Sequence, residues 1–129
     1  MEIKYEVDTN KSFEEAVESL KTSLSNNSFG VLWELNFKDK LKEKGFDFDH
    51  NFKIFEVCNP RQAKEVLDRH IEVGYFLPCK IVIYDKGNTV KIGMVKPTQL
   101  INMLGDQELT SVATEVENEL KTAINMAAN

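Results

Sequence analysis

The chain has 129 residues, with 21 acidic and 16 basic side chains and a formal net charge of −5. That length is typical of one domain with its own hydrophobic core, so residues 1–129 are expected to form a single domain. A nucleic-acid surface needs clustered positive charge, and the acidic balance therefore argues against DNA or RNA as a partner.

The beginning of the chain does not resemble an export signal. Residues 1–8 alternate charged and apolar side chains, whereas a signal peptide needs a continuous apolar core. The longest aliphatic and aromatic run, residues 81–84, is far shorter than the roughly 20 residues that cross a bilayer. The two cysteines, Cys58 and Cys79, are too few for a secreted disulfide scaffold. We therefore expect a cytoplasmic protein with reduced thiols and no membrane partner.

Periodicity predicts strand, helix, strand and short helix in the first part of the chain. Residues 2–7 alternate as a strand, and the Ser12 and Glu15 spacing is that of a capping box that begins a helix. This helix is expected to end near residues 26–27. Residues 31–37 alternate as a second strand, with Trp33 and Leu35 on its apolar face. A short helix over residues 38–44 is then closed by Gly45.

The second part begins with a strand over residues 52–58, after which Asn59 and Pro60 occupy the N-cap and first position of a helix. Residues 79–86 and 89–95 form a predicted hairpin around Gly87 and Asn88. That turn pairs Ile83 with Ile92 and Ile81 with Met94. Two helices follow, one from Pro97 and one capped by Asp106.

This order of elements predicts an α+β fold. The polar faces of the helices and the hairpin favour a single-domain two-layer sandwich. The sheet is expected to be mixed but mostly antiparallel, with the helices packed mainly on one face.

The segment Cys58, Asn59, Pro60 is the first candidate site. It places a thiol at the end of a strand, just before a helix N-terminus, where unpaired N–H groups favour a thiolate. Cys58 is therefore a candidate nucleophile or binding group. The alternative is a buried thiol that packs as a small apolar side chain.

Cys79 supplies the second thiol of this candidate site. If the strand, helix and strand between residues 52 and 86 form a crossover, the two cysteines lie at opposite ends of the sheet. The intervening helix would span about 15 Å, and the Cα atoms of a disulfide lie within about 7 Å. No disulfide is therefore predicted.

Glu34 is a further candidate, because a carboxylate near a thiol can orient a ligand or act as a base. It is expected on the polar side of the second strand. Asp47, Asp49 and His50 lie close in sequence but lack the spacing of a calcium loop, so a solvated loop and no metal are predicted. No phosphate-binding or dinucleotide pattern occurs, and no cofactor is predicted.

Several segments resemble, in order and with fitting gaps, the bacterial and archaeal domain-of-unknown-function family numbered 302. They are Phe29-Gly30-Val31-Leu32, Glu34, residues 41–45, Cys58-Asn59-Pro60 and residues 77–84. Asn36 and Lys80 depart from the family pattern. The resemblance implies a small cytoplasmic α+β protein, a homodimer, with no established activity.

The functional hypothesis is a homodimeric ligand-binding or sensing module with a small-molecule site near Cys58, Asn59, Pro60, Cys79 and Glu34. A thiol-dependent enzyme that uses Cys58 as its nucleophile is the first alternative. A purely structural dimerisation module is the second. Aromatic side chains are also concentrated around one short connection, which cannot easily bury them all, and exposed apolar patches favour a homodimer. These side chains are Trp33, Phe37, Phe46, Phe48 and Phe52.

Overall fold

The computed structural model describes residues 2–129 and contains five strands and five α-helices. The strands are β1 (Lys4–Thr9), β2 (Gly30–Asn36), β3 (Phe52–Cys58), β4 (Cys79–Lys86) and β5 (Thr89–Val95). The helices are α1 (Phe13–Asn26), α2 (Phe37–Glu43), α3 (Pro60–Arg69), α4 (Pro97–Asn102) and α5 (Thr110–Ala128). Short 3₁₀ segments at Ile71–Phe76 and Gln107–Leu109 precede β4 and α5.

The strands form one sheet in the order β1-β5-β4-β3-β2. All four pairings are antiparallel, which confirms the predicted α+β class. The expectation of a mixed sheet is wrong, because the sheet contains no parallel pair among residues 2–129. The hairpin has the predicted register, with Ile83 opposite Ile92 and Ile81 opposite Met94. Gly87 opens its turn with a φ of 64°, which glycine adopts without steric cost.

Helices α1 and α5 cover one face of the sheet and enclose the main core. The predicted capping box begins α1, because Ser12 accepts from the N–H of Glu15 and the Glu15 side chain accepts from the N–H of Ser12. Leu20 of α1, Leu120 of α5 and Phe55 of β3 are fully buried where the two layers meet. The helices therefore lie mainly on one face, as predicted.

A second, smaller apolar cluster lies beside the main core. It joins α3, the first 3₁₀ segment, α4 and the beginning of α5. Its buried members are Val66, Val73, Ile101, Leu109, Val112 and Ala113. Asp106 caps the short 3₁₀ segment rather than α5 itself, which begins at Thr110.

Trp33 and Leu35 share one face of β2 and Glu34 lies on the other, as predicted, but a β-bulge turns the Glu34 side toward the helices, which the sequence did not predict. Val31 lies opposite Val57, but the register shifts and Trp33 lies opposite Glu56. The extra residue reverses the inward and outward alternation from that point. Glu34 therefore lies on the helix-covered face, opposite Phe55, and Trp33 lies on the other face.

We call the face away from α1 and α5 the open face. A row of apolar side chains crosses it from β2 to β4, formed by Leu35, Ile54 and Val82. Next to this row, Trp33 is 48% exposed. The edge of the open face is aromatic, because Phe52 packs edge-on against Phe37 and stacks at a tilt on Tyr84.

Candidate functional site

An apolar cavity lies where the main core meets the second cluster. Its volume is about 60 Å³, and it is lined by the ends of β3 and β4 together with α3, the first 3₁₀ segment, α4 and α5. Its buried lining residues include Val66, Ile101, Val112 and Ala113. An engineered apolar cavity of about 150 Å³ holds benzene, so this cavity suits a molecule or group of roughly half that size.

Three of the residues singled out from the sequence line this cavity. They are Cys58, Asn59 and Cys79. Pro60 begins α3 next to them but is not part of the wall, and Glu34 lies elsewhere on the sheet. The two thiols and the Asn59 cap are thus brought together at one site.

The prediction that the two cysteines lie at opposite ends of the sheet is wrong. It assumed a crossover between β3 and β4, but these strands are antiparallel neighbours, and Cys79 lies opposite Val57. Cys58 is therefore one register position from Cys79, at the same end of the sheet. Both cysteines are free.

Both cavity thiols have raised pKa values, whereas a thiolate at neutral pH needs a lowered one. The Asn59 side chain accepts from the N–H of Gln62 and so satisfies one donor of the helix start. Burial raises the pKa of Cys58 and so acts against the lowering that was expected from the helix N-terminus. Burial, with the neighbouring Cys58, raises the pKa of Cys79 to about 11. Both groups are neutral thiols near pH 7.

Glu34 is held in an ion-pair network of its own. Its carboxylate lies 2.8 Å from Nζ of Lys53 and 2.9 Å from Nζ of Lys21. The hydrogen bond from Lys53, supported by Lys21, holds the pKa of Glu34 below its usual range. Glu34 therefore ties β2 and β3 to α1, and the structure does not bring it to the cavity.

Gln62 is a cavity residue that the sequence analysis missed. It stands three residues after Asn59, a spacing typical of a capping box, in which its side chain would turn back to the cap. Instead, its Nε2 donates to Glu115 and Glu119 of α5. The sequence carries no signal for this contact, because the partners are more than 50 residues away.

Glu117 was also missed, and it fixes one wall of the cavity. It is only 7% exposed, and its Oε1 accepts from the backbone N–H and the hydroxyl of Thr98 at 3.1 and 2.6 Å. No side chain caps α4 from within, since its N-cap Lys96 makes no such bond. A carboxylate from α5 therefore caps α4 and holds it against the cavity.

The loop residues Asp47, Asp49 and His50 do not form a metal site in the described residues. Among residues 2–129, no group of three or more His, Cys, Asp or Glu side chains is arranged to hold a metal ion. Asp47, Asp49 and His50 are exposed. Within the same residues, no helix has the length and apolar character needed to cross a membrane.

Comparison with known proteins gives one family. The family described as domain of unknown function DUF302 matches residues 5–127. A solved structure is also similar: the crystal structure of the uncharacterized conserved protein DUF302 from Bacillus stearothermophilus. It is 42% identical, covers 98% of this chain and 99% of its own, and superposes with a TM-score of 0.95. No curated protein matches the chain. The chain therefore belongs to the DUF302 family.

Proposed function

We propose that this protein is a homodimeric, cytoplasmic binding module that holds a small uncharged molecule in the cavity beside Cys58 and Cys79. The observation that carries the proposal is the cavity itself, because its wall is almost entirely apolar and comes from several different elements of the fold. Such convergent apolar pockets with few polar groups are typical of small-molecule sites. Two free thiols favour a reducing compartment.

The enzyme alternative receives less support from the same geometry. A cysteine nucleophile reacts as the thiolate and needs a cation or a base beside it. The pKa of each cavity thiol is raised, by burial and, for Cys79, by the other thiol. Neutral thiols in an apolar wall favour binding, since they pack as small soft side chains.

Xenon is expected to enter the cavity, because it is small and apolar and fills cavities of this kind. In ¹H–¹⁵N NMR spectra, the amide chemical shifts of Val73 and Ala113 should change as the xenon pressure rises and then reach a plateau. The variant Ala113→Leu adds carbon atoms to a buried wall position, so the shifts should fall by at least about fivefold.

Ala128→Leu is the matched control, since Ala128 is only partly buried and packs against the main core, away from the cavity. It should retain the wild-type xenon response. Absence of any saturable shift in the wild type, or an unchanged response in Ala113→Leu, would contradict the proposed binding function.

We propose that the homodimer forms through the open face, which is covered by a second copy of the chain. Trp33 is half-exposed there beside the partly buried Leu35, and exposed apolar patches usually mark interfaces. Glu56 and Lys80 are register partners on the same face. A two-fold axis can therefore place the acid of one copy over the base of the other.

Light scattering at micromolar concentration is expected to give twice the chain mass of 14.8 kDa. Trp33→Lys should shift the protein toward the monomer, because it buries a charge in the interface. Ile71→Lys is the control, since Ile71 is 70% exposed in the 3₁₀ segment and should leave the mass unchanged. A wild-type mass near 14.8 kDa would contradict the homodimer.

A further inference from the structure

Gln62 is the buried polar side chain in the cavity wall. It is 3% exposed and lies in the first turn of α3. Its Nε2 donates to Oε1 of Glu115 at 2.9 Å and to Oε2 of Glu119 at 2.8 Å. These two bonds fix the orientation of the amide, because the reverse orientation would set a carbonyl oxygen against two carboxylates.

The other end of this amide is unsatisfied. Oε1 of Gln62 is buried and accepts no hydrogen bond from residues 2–129. Buried acceptors without a donor are rare in folded proteins because they lose their water without replacement. Because Gln62 lines an apolar cavity, this unsatisfied acceptor is an observation that points to a ligand.

We propose that the cavity selects a small uncharged aliphatic alcohol, or the alcohol end of a longer molecule, whose hydroxyl donates to Oε1 of Gln62. The inference rests on the proposed binding function and names its ligand class. The apolar wall excludes a charged group, and Glu115 and Glu119 behind the amide repel an anion. The volume of about 60 Å³ limits the enclosed part to roughly two or three carbon atoms by comparison with benzene.

The test compares 1-propanol with its isomer ethyl methyl ether. The two molecules contain the same atoms and each offers an oxygen acceptor, but only the alcohol has a donor. In ¹H–¹⁵N NMR titrations, both should shift amides around Ala113, and propanol should bind about fivefold more tightly, the ratio expected of one added hydrogen bond. In Gln62→Met, which replaces the amide acceptor with a thioether, the preference for propanol should be lost.

The affinity for the ether reports whether the cavity of Gln62→Met remains intact, and the wild-type comparison stands even if that variant does not fold. Equal wild-type affinities would overturn the alcohol inference and leave the binding function in place. A propanol preference that persists in Gln62→Met would also overturn it, because the donor would then meet another acceptor. If xenon also fails to bind, the proposed function itself falls.

Discussion

Iodoacetamide is expected to alkylate Cys58 faster than Cys79 in the native protein at pH 8, by at least about tenfold. Only the thiolate reacts at a useful rate. Burial and the neighbouring Cys58 raise the pKa of Cys79 to about 11, so very little of it is ionised at pH 8. Burial also raises the pKa of Cys58, but this thiol is the less deeply buried of the two and has no added charge acting on it.

Site-resolved mass spectrometry over a series from pH 7 to pH 10 measures both rates. The Cys79 rate should still rise tenfold per pH unit at the top of this series, because the whole series lies below its pKa of about 11. Variants Cys58→Ser and Cys79→Ser assign each rate to one thiol. Equal rates, or faster labelling of Cys79, would contradict this ordering.

The sequence predicted the fold correctly wherever the residues of a turn or helix cap agreed with the apolar periodicity of the elements beside them. The Gly87 turn and the apolar alternation of β4 and β5 specify the same hairpin register, and the structure has that register. The beginnings of α1 and α3 are marked by side-chain caps made within one turn. Ser12 and Glu15 form the cap of α1, and Asn59, followed by Pro60, forms the cap of α3. Such features depend on neighbouring residues alone, so one sequence is enough to predict them.

The candidate site is formed by residues that are far apart in the sequence, and only part of it was predicted. One bulge residue in β2 moved Glu34 to the helix-covered face, and alternation alone gives no sign of a bulge. The strand order placed Cys58 beside Cys79, whereas the assumed crossover separated them. The Gln62 amide takes its partners from α5, and a sequence pattern cannot show which helix will pack there.

The replacement Glu117→Ala is expected to lower the free energy of unfolding by about 1.5–3 kcal/mol, the contribution of hydrogen bonds to a charged group. It leaves the N–H and hydroxyl of Thr98 without their acceptor and removes the ion-pair partner of Lys121. Urea denaturation followed by circular dichroism measures the change. Asn118→Ala, at an exposed position of the same helix, should change stability by less than about 0.5 kcal/mol. A Glu117→Ala protein as stable as the wild type would contradict the proposed role of this carboxylate.

The same carboxylate makes the α4 wall of the cavity sensitive to acid. Burial acts to raise the pKa of Glu117, but the hydrogen bonds from Thr98 and the charge of Lys121 outweigh it, and the pKa lies below the usual 4.5. The unfolded chain therefore takes up the proton at a higher pH than the folded chain. The stabilisation is present in full above about pH 5.5 and is lost as the pH falls through the lowered pKa.

Glu34 has a lowered pKa as well, so the stability of the wild type should decline through both carboxylates on acidification. Glu117→Gln and Glu34→Gln should each remove part of that decline in urea denaturation between pH 6 and pH 3.5. An unchanged pH slope in either variant would contradict the assignment to that residue.

Of these two carboxylates, only Glu117 supports the cavity wall, because it caps α4. Xenon-induced shifts at Ala113 should therefore weaken on acidification before the protein unfolds. In Glu34→Gln they should weaken over the same pH range as in the wild type, since Glu34 lies away from the cavity.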